Sequence, residues 1–212
     1  MDELLINIKK YEIGLLKIIK KYINTFKFSN SDNLKKACDL WYNDKEKCQK
    51  IYGQISYWDT SEITSMIRLF FGFTNFNEDL SRWNISKVTD LSNMFEDCHK
   101  FNSDLNEWDV RKVEYMNNMF FNCYNFNSKL DKWDVRKVED IDEMFWGCKS
   151  FNQDLSNWNL ENLDEMYEHF IFHDCCIKKE YMPELPLVSY YTYCHINKNN
   201  YNKLFKLNLG NN

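Results

Sequence analysis

The chain has 212 residues, of which 44% are hydrophobic and 17% aromatic, with only 5 glycines and 2 prolines. This composition provides a sizeable core and excludes a disordered chain and a hairpin-rich β-sandwich. The net charge of −5 is unevenly distributed: residues 1–57 carry +4, residues 58–175 carry −12 and residues 176–212 carry +3. Because the acidic middle would repel a phosphate backbone, we do not expect nucleic-acid binding through it.

The first predicted element is an amphipathic helix over residues 2–27. Its apolar positions would form one face; they are Leu4, Leu5, Ile8, Tyr11, Leu15, Ile18, Ile19, Tyr22 and Phe26. A second helical stretch begins at Ser31, and Gly53 is a natural C-terminal stop for it. We therefore predict a helical segment over residues 1–53, which would cap the N-terminal end of whatever follows.

No segment has the roughly 18 uncharged apolar residues that a membrane span requires, because lysines interrupt the N-terminal helix. The sequence also shows no signal-peptide pattern. We therefore expect an intracellular protein, in the cytoplasm of a host cell or in a virus particle, whose 8 cysteines stay reduced. The membrane contact that remains open is a surface contact of the basic first helix with anionic lipid.

Residues 54–175 contain about five copies of a 25-residue unit. The stretch "FNSDLNEWDVRKVEYMNNMF" at residues 101–120 returns as "FNSKLDKWDVRKVEDIDEMF" at residues 126–145. A fixed period of this kind is typical of stacked repeat proteins. The most regular positions are Trp58, Trp83, Trp108, Trp133 and Trp158; Phe76, Phe101, Phe126 and Phe151; and Asn77, Asn102, Asn127 and Asn152. We expect the asparagines to be buried and to satisfy backbone groups at a bend in each layer.

A 25-residue unit is too short for a pair of helices and suits one short strand with one short helix. The segment "DLNEW" alternates apolar and polar residues and predicts the strand. About three turns of helix are predicted by Val88, Leu91, Met94, Phe95 and Cys98. Asp or Asn precedes each predicted helix as a turn or capping acceptor, at positions 59, 84, 109, 134 and 159. The predicted fold class is therefore an α/β repeat: a short leucine-rich-repeat-like solenoid of parallel strands and helices over residues 54–175. Residues 176–212 would form a C-terminal cap or tail.

The repeated unit resembles that of a known family. "WNISKVTDLSNMFEDCHKFNSDLNEW" at residues 83–108 and its sister copies are similar to the unit of BspA-like leucine-rich-repeat proteins. That unit reads approximately W-D-V-S-x-V-T-x-M-x-x-M-F-x-x-C-x-x-F-N-x-D-L-S, and it is found in bacterial surface proteins, large DNA viruses and protists. The resemblance covers residues 33–175. It implies a solenoid with a role in binding or adhesion and no associated catalysis.

Two rows of variable positions are candidate binding surfaces. The basic row lies before the predicted helices and consists of Lys87, Arg111, Lys112, Arg136 and Lys137. Glu114 and Glu139 lie three residues beyond the two arginines and would pair with them. The apolar row shares one repeat slot, which Glu96 interrupts, and consists of Phe71, Phe121, Trp146 and Ile171. If exposed, it would mark an interaction site; if covered, it would pack laterally.

A group of histidines and cysteines near the C-terminus is a weak zinc candidate. It consists of His169, His173, Cys175, Cys176, Cys194 and His195. His169 and His173 are four residues apart and could face one ion, but they also occupy the methionine and cysteine slots of the repeat. A modified last layer is therefore favoured, and no metal is predicted. Cys98, Cys123 and Cys148 share their slot with Phe73, which favours buried apolar fillers over disulfides.

The sequence contains no phosphate loop, no G-x-S-x-G, no H-E-x-x-H and no glycine-rich fingerprint. We therefore expect a protein without enzymatic activity or cofactor that binds a protein partner through the repeats. The alternative is a structural or assembly protein, such as a virus-particle component. Its basic ends would meet the acidic arrays of neighbouring copies to form a homo-oligomer.

Overall fold

The structure is a computed structural model, and it describes residues 9–12, 25–163 and 170–184. Most of the predicted first helix and most of the predicted C-terminal cap or tail lie outside these ranges. The limits predicted for the three domains therefore stay a prediction.

Two helices lie near the N-terminus: α1 spans Ser31–Asn43 and α2 spans Lys45–Tyr52. Side-chain oxygens of Asn30 and Asp44 accept N–H groups of the first turns, at 2.9 and 3.0 Å, which satisfies donors that a helix start leaves free. Asp44 thus divides the predicted helical stretch into two, and α2 ends at Gly53, whose φ is 73°. Within the described residues, no helix is long and apolar enough to cross a membrane.

A stack of layers follows, and its backbone pairs in parallel at one residue per layer. These isolated bridges join Ser65, Asp90, Tyr115 and Asp140. The described residues of the array form neither a continuous strand nor an α-helix; apart from one 3-10 helix, Ile55–Tyr57, they form turns and bends. The predicted α/β solenoid, with one short parallel strand and one short helix in each unit, is therefore wrong.

The predicted helix does not form because its amides bond to the next layer instead of to their own turn. The Phe95 N–H donates to the Met119 carbonyl at 2.9 Å, and the Asp97 N–H donates to the Phe121 carbonyl at 2.8 Å. The amides that alternate with these close four-residue turns, as when the Cys98 N–H donates to the Phe95 carbonyl at 2.9 Å. An α-helix would bond all of these groups within one segment. Tight turns therefore place the apolar side chains at the same sequence spacing that an α-helix would.

Two left-handed residues in each of the first four layers are the local cause of this geometry. In the second layer Asn93 and Asp97 have φ values of 58° and 59°. The same two slots have positive φ in the other layers, at Arg68, Gly72, Asn118, Asn122, Glu143 and Gly147. A left-handed residue turns the following peptide group and so interrupts a right-handed helix. The second of these slots holds only glycine, asparagine or aspartate, which tolerate this conformation best.

The interior of the array consists of stacks of identical side chains. Phe95, Phe120 and Phe145 stack with centroid separations of 5.6 and 5.7 Å. The tryptophan slot is also buried, and from Trp83 onward each indole N–H donates to a carbonyl of the preceding layer, as Trp108 does to Leu80 at 3.1 Å. The aromatic core is therefore closed and its polar atoms are paired.

The N-terminal segment closes the first layer of the array. Lys27 forms a parallel bridge with Asp59, so the first helix does not extend to residue 27 as predicted. From α1, the Ser31 hydroxyl and the Lys35 ammonium donate to backbone carbonyls of the first layer, the second at 3.1 Å. Because α1 bonds its own amides internally, it ends the stack without exposing a new row of donors.

The last layer is displaced by two residues from the 25-residue period. The Gly147 N–H donates to the His173 carbonyl at 2.8 Å, two residues further along the chain than in earlier layers. Phe172, and not Phe170, which follows Phe145 by 25 residues, stacks on Phe145 at 5.6 Å. The repeat slots of this layer therefore differ from those obtained by counting.

Candidate interaction surface

One side of the array carries half-buried rings in the slot next to the core phenylalanines. This aromatic row consists of Phe71, Phe121, Trp146 and His173. The Phe121 ring stacks on Trp146 with centroids 5.9 Å apart, and Trp146 contacts the His173 ring at 3.8 Å. The rings lie outside because the preceding residue of each layer fills the core. Three successive layers thus present one continuous, partly exposed apolar surface.

The displacement of the last layer corrects two assignments. Ile171, predicted in the apolar row, is only 1% exposed and takes the core slot that elsewhere holds methionine. His173, predicted in the cysteine slot, contacts Trp146 instead, and Cys175 is buried where the cysteine slot continues. Counting in steps of 25 fails here because the chain between the last two layers is two residues longer.

Two half-buried carboxylates belong to the same surface. Glu96 fills the row position of the second layer, and Glu143 precedes Trp146 by three residues. Burial raises the pKa of both carboxyl groups. The charge of Asp97 adds to the pKa shift of Glu96, and the charges of Asp142 and Glu96 add to that of Glu143. A nearby positive charge would therefore be favourable at this surface.

One arginine already contacts the row. The guanidinium carbon of Arg68 lies 3.7 Å from the centroid of the Phe71 ring, which is a cation–π contact. Sequence reasoning placed Glu96 in this slot as an interruption of the apolar row, and it missed Arg68 and Glu143 as members of this surface. Their position in the repeat could have identified Arg68 and Glu143, because each lies three residues before an aromatic residue of the row. Both residues have the left-handed conformation.

The five residues of the predicted basic row are all exposed. Arg111 and Arg136 each form a bidentate pair with the aspartate two residues earlier, Asp109 and Asp134, at 2.7 to 2.8 Å. The predicted pairing with glutamates three residues further on is therefore wrong. The Arg136 hydrogen bond lowers the pKa of Asp134 to about 2. Lys87 is paired with a glutamate of the preceding layer at 2.8 Å. Much of this charge is thus neutralised within the array.

The cysteine slot lies inside the core. Cys98, Cys123 and Cys148 are fully buried, and each thiol donates to a backbone carbonyl of the preceding layer at 3.0 Å. Burial raises the pKa of all three thiols. A thiol that stays protonated is a poor nucleophile and a poor metal ligand. These cysteines therefore have a structural place in the stack.

The asparagine slot pairs successive layers. The side-chain oxygens of Asn77, Asn102 and Asn127 each accept the backbone N–H of the next asparagine in the slot, at 2.8 to 2.9 Å. The expected pairing of backbone groups is present. The three amides are exposed, however, and not buried as expected.

Half of the predicted histidine and cysteine cluster cannot be placed, because His169, Cys194 and His195 lie outside the described residues. Cys175 is buried and Cys176 is exposed. Within the described parts of the chain, no three His, Cys, Asp or Glu side chains are grouped to hold a metal ion.

Comparison with known proteins identifies the repeat family. The family model described as "Mycoplasma protein of unknown function, DUF285" matches residues 19–122 and, in a second match, residues 41–158. These matches support the resemblance to BspA-like repeats at the level of the family, without testing the detailed 25-residue consensus. No curated protein and no solved structure matches the chain. Because the second match alone covers more than half of the 212 residues, the chain belongs to the DUF285 family.

Proposed function

We propose that this chain is a non-catalytic protein-interaction module that binds a partner protein along the aromatic row. The observation that carries the proposal is the continuous ring surface of Phe121, Trp146 and His173 on the outside of a closed core. Contiguous, partly exposed aromatic surfaces are typical of interaction sites, and tryptophan is prominent among the residues that dominate binding energy.

The architecture supports binding better than catalysis. Stacked repeats hold a surface rigidly and present it over several layers, which suits recognition of an extended partner. The reactive side chains of the array also serve its structure. The slot thiols are buried, and aspartates such as Asp59 and Asp79 accept N–H groups of their own turns at 3.0 and 2.9 Å.

Paired alanine variants test the proposal. Phe121→Ala with Trp146→Ala removes the rings, and Tyr115→Ala is the matched control because Tyr115 is an exposed array aromatic outside the row. Each form, immobilised at equal amount, would be crosslinked to proteins of the source cells, and recovered proteins would be quantified by mass spectrometry. We expect specific proteins to be recovered with the wild type and with the control but lost with the row variant. The same set from both variants would contradict the proposal.

The alternative, assembly through oppositely charged ends, rests on the uneven charge of the chain. Part of that charge is neutralised within the chain, because Lys27 forms an ion pair with Glu62 and Lys45 forms one with Glu78. Sedimentation velocity at low and high salt separates the two functions. A monomer in both conditions supports the interaction module, whereas oligomers that dissociate in high salt support assembly.

A further inference from the structure

The aromatic row carries an uneven charge pattern. Arg68 covers Phe71 at its N-terminal end, 3.7 Å from the ring centroid. In the fourth layer the position equivalent to Arg68 is Glu143, three residues before Trp146. The row therefore supplies its own cation at one end and presents a carboxylate beside the ring at the other.

The carboxylates lie beside the largest ring surface. Glu96 and Glu143 are half-buried, and the only hydrogen bond to either carboxylate among the described contacts comes from the neutral Asn93 amide, 2.6 Å from Glu96. Asp97 and Asp142 add negative charge next to them, as their effect on the two glutamate pKa values shows. A positively charged group placed beside Phe121 and Trp146 would meet ring surface together with the Glu143 carboxylate and with Glu96, whose charge Arg68 offsets in part.

We propose that the aromatic row binds an extended, arginine-bearing segment of a partner protein, with a guanidinium against Phe121 and Trp146 and paired with Glu96 and Glu143. This inference rests on the proposed function. The contact of Arg68 with Phe71 shows that the row accommodates a stacked guanidinium. Arginine suits the site better than lysine, because its planar group stacks on a ring and donates to two carboxylates at once.

The size of the row limits the partner segment. Phe71 and Trp146 are three layers apart, and layers paired like parallel strands are about 4.8 Å apart, so the part of the row from Phe71 to Trp146 is about 15 Å long. An extended chain covers this length with about five residues, at about 3.3 Å for each. A short linear segment with one or two arginines is therefore sufficient.

Peptide binding to the full chain tests the inference. The probes are three acetylated and amidated nonapeptides, built from three Arg-Ser-Gly, Lys-Ser-Gly or Gln-Ser-Gly units. Binding would be followed by the NMR signal of the Trp146 indole N–H, assigned with Trp146→Phe. We expect this signal to shift with the arginine peptide, at least threefold less affinity for the lysine peptide and no shift with the glutamine peptide. Shifts confined to other surface signals would overturn the proposal.

A matched pair of variants separates the row from the general acidity of the array. E96Q with E143Q removes two carboxylates from the row, and E114Q with E139Q removes one half-buried and one exposed carboxylate outside it. Glutamine keeps the shape of each side chain, and thermal unfolding would verify that both variants are folded. We expect the row variant to bind the arginine peptide at least fivefold more weakly, and the control at most twofold more weakly. Equal losses would indicate non-specific attraction to the array and would overturn the proposal.

The same variants distinguish this inference from the proposed function. If E96Q with E143Q still captures the partners that the ring-deleted variant loses, the row binds a protein, but not through an arginine. If neither variant changes capture, the proposed function itself fails.

Discussion

In the N-terminal cap the backbone N–H groups bond within each helix, whereas in the array alternate N–H groups bond to the next layer. A helix such as α1 completes its hydrogen bonds alone and needs neighbours only for its apolar face. A layer of turns has no such completeness, because half of the amides from Leu91 to Cys98, and their equivalents in other layers, find acceptors only when the next layer is in place. We therefore expect damage in the cap to stay local and damage in the array to spread along the stack.

The largest expected effect comes from removing a ring in the middle of the stack. Phe120 lies between Phe95 and Phe145 and contacts Phe126 at 4.0 Å, and it is fully buried. Phe120→Ala would leave a cavity shared by three layers, and we expect it to lower the free energy of unfolding by about 3–5 kcal/mol. Urea unfolding followed by circular dichroism measures this loss.

The matched control is Phe28→Ala, which removes an equally buried ring from the segment that closes the first layer. We expect a smaller loss, because Phe28 contacts the array from one side only, through Trp58 at 5.1 Å. Hydrogen exchange would show faster amides in several layers of the first variant and only near the N-terminal end of the second. Identical exchange patterns would remove the distinction between cap and array.

An intermediate effect is expected where the left-handed slot is crowded. Gly147 has a φ of 72°, and a Cβ there would lie 2.5 Å from the Asn122 side-chain oxygen. Gly72 has a φ of 74°, but a Cβ there would meet no atom within 4 Å. Both alanine variants incur the left-handed backbone cost of about 1–2 kcal/mol. Only Gly147→Ala must also displace Asn122, which donates to Asp97 at 2.9 Å.

We therefore expect Gly147→Ala to lose about 1 kcal/mol more than Gly72→Ala, by the cost of one disturbed hydrogen bond. Thermal unfolding of both variants at the same protein concentration measures the difference. If Gly72→Ala were the more damaging, the layer next to the cap would be more tightly constrained than the interior of the stack.

These two glycines also show why the sequence predicted the 25-residue period but not the backbone conformation of each unit. The 25-residue step, the ring slots and the turn-forming Asp and Asn positions depend on residue type, and all of them recur in the structure. The helix over residues 88–98 was predicted because successive four-residue turns place apolar side chains three or four residues apart, which is also the spacing on one face of a helix. The slot of Gly72, Asp97, Asn122 and Gly147 contradicted that interpretation, since glycine and asparagine favour left-handed positions and are poor in a helix interior.

The aromatic row was predictable for the same reason, and only up to the last layer. Phe121 and Trp146 repeat in step, and their ring contact follows from the period. Ile171 was placed there by counting, but a two-residue longer interval brings His173 to Trp146 instead. The displacement had a signal in the sequence, because Ile171, Phe172 and Cys175 repeat the spacing of Met144, Phe145 and Cys148 two residues later than the 25-residue step predicts.

The smallest expected effect compares one side-chain acceptor in each region. The Asn102 oxygen accepts the Asn127 N–H at 2.8 Å in the array, and the Asn30 oxygen accepts the Asn33 N–H at 2.9 Å at the start of α1. Both asparagines are exposed, so water replaces part of each lost bond. We expect Asn102→Ala and Asn30→Ala each to lower the free energy of unfolding by about 0.5–1 kcal/mol.

Even if Asn102→Ala and Asn30→Ala lose the same stability, we expect the faster hydrogen exchange to extend over more residues in Asn102→Ala. Without the Asn102 oxygen, the Asn127 amide loses its partner in the neighbouring layer, and we expect faster hydrogen exchange there and at Asn152, where the same slot continues. In Asn30→Ala the change should remain within the first turn of α1, because the later amides keep their acceptors inside the helix. The variants Asn102→Asp and Asn30→Asp keep an oxygen acceptor and should restore slow exchange in both regions. If exchange in Asn102→Ala changed at Asn127 alone, the layers would be joined by independent bonds, and the cooperative stack that separates the array from the cap would not exist.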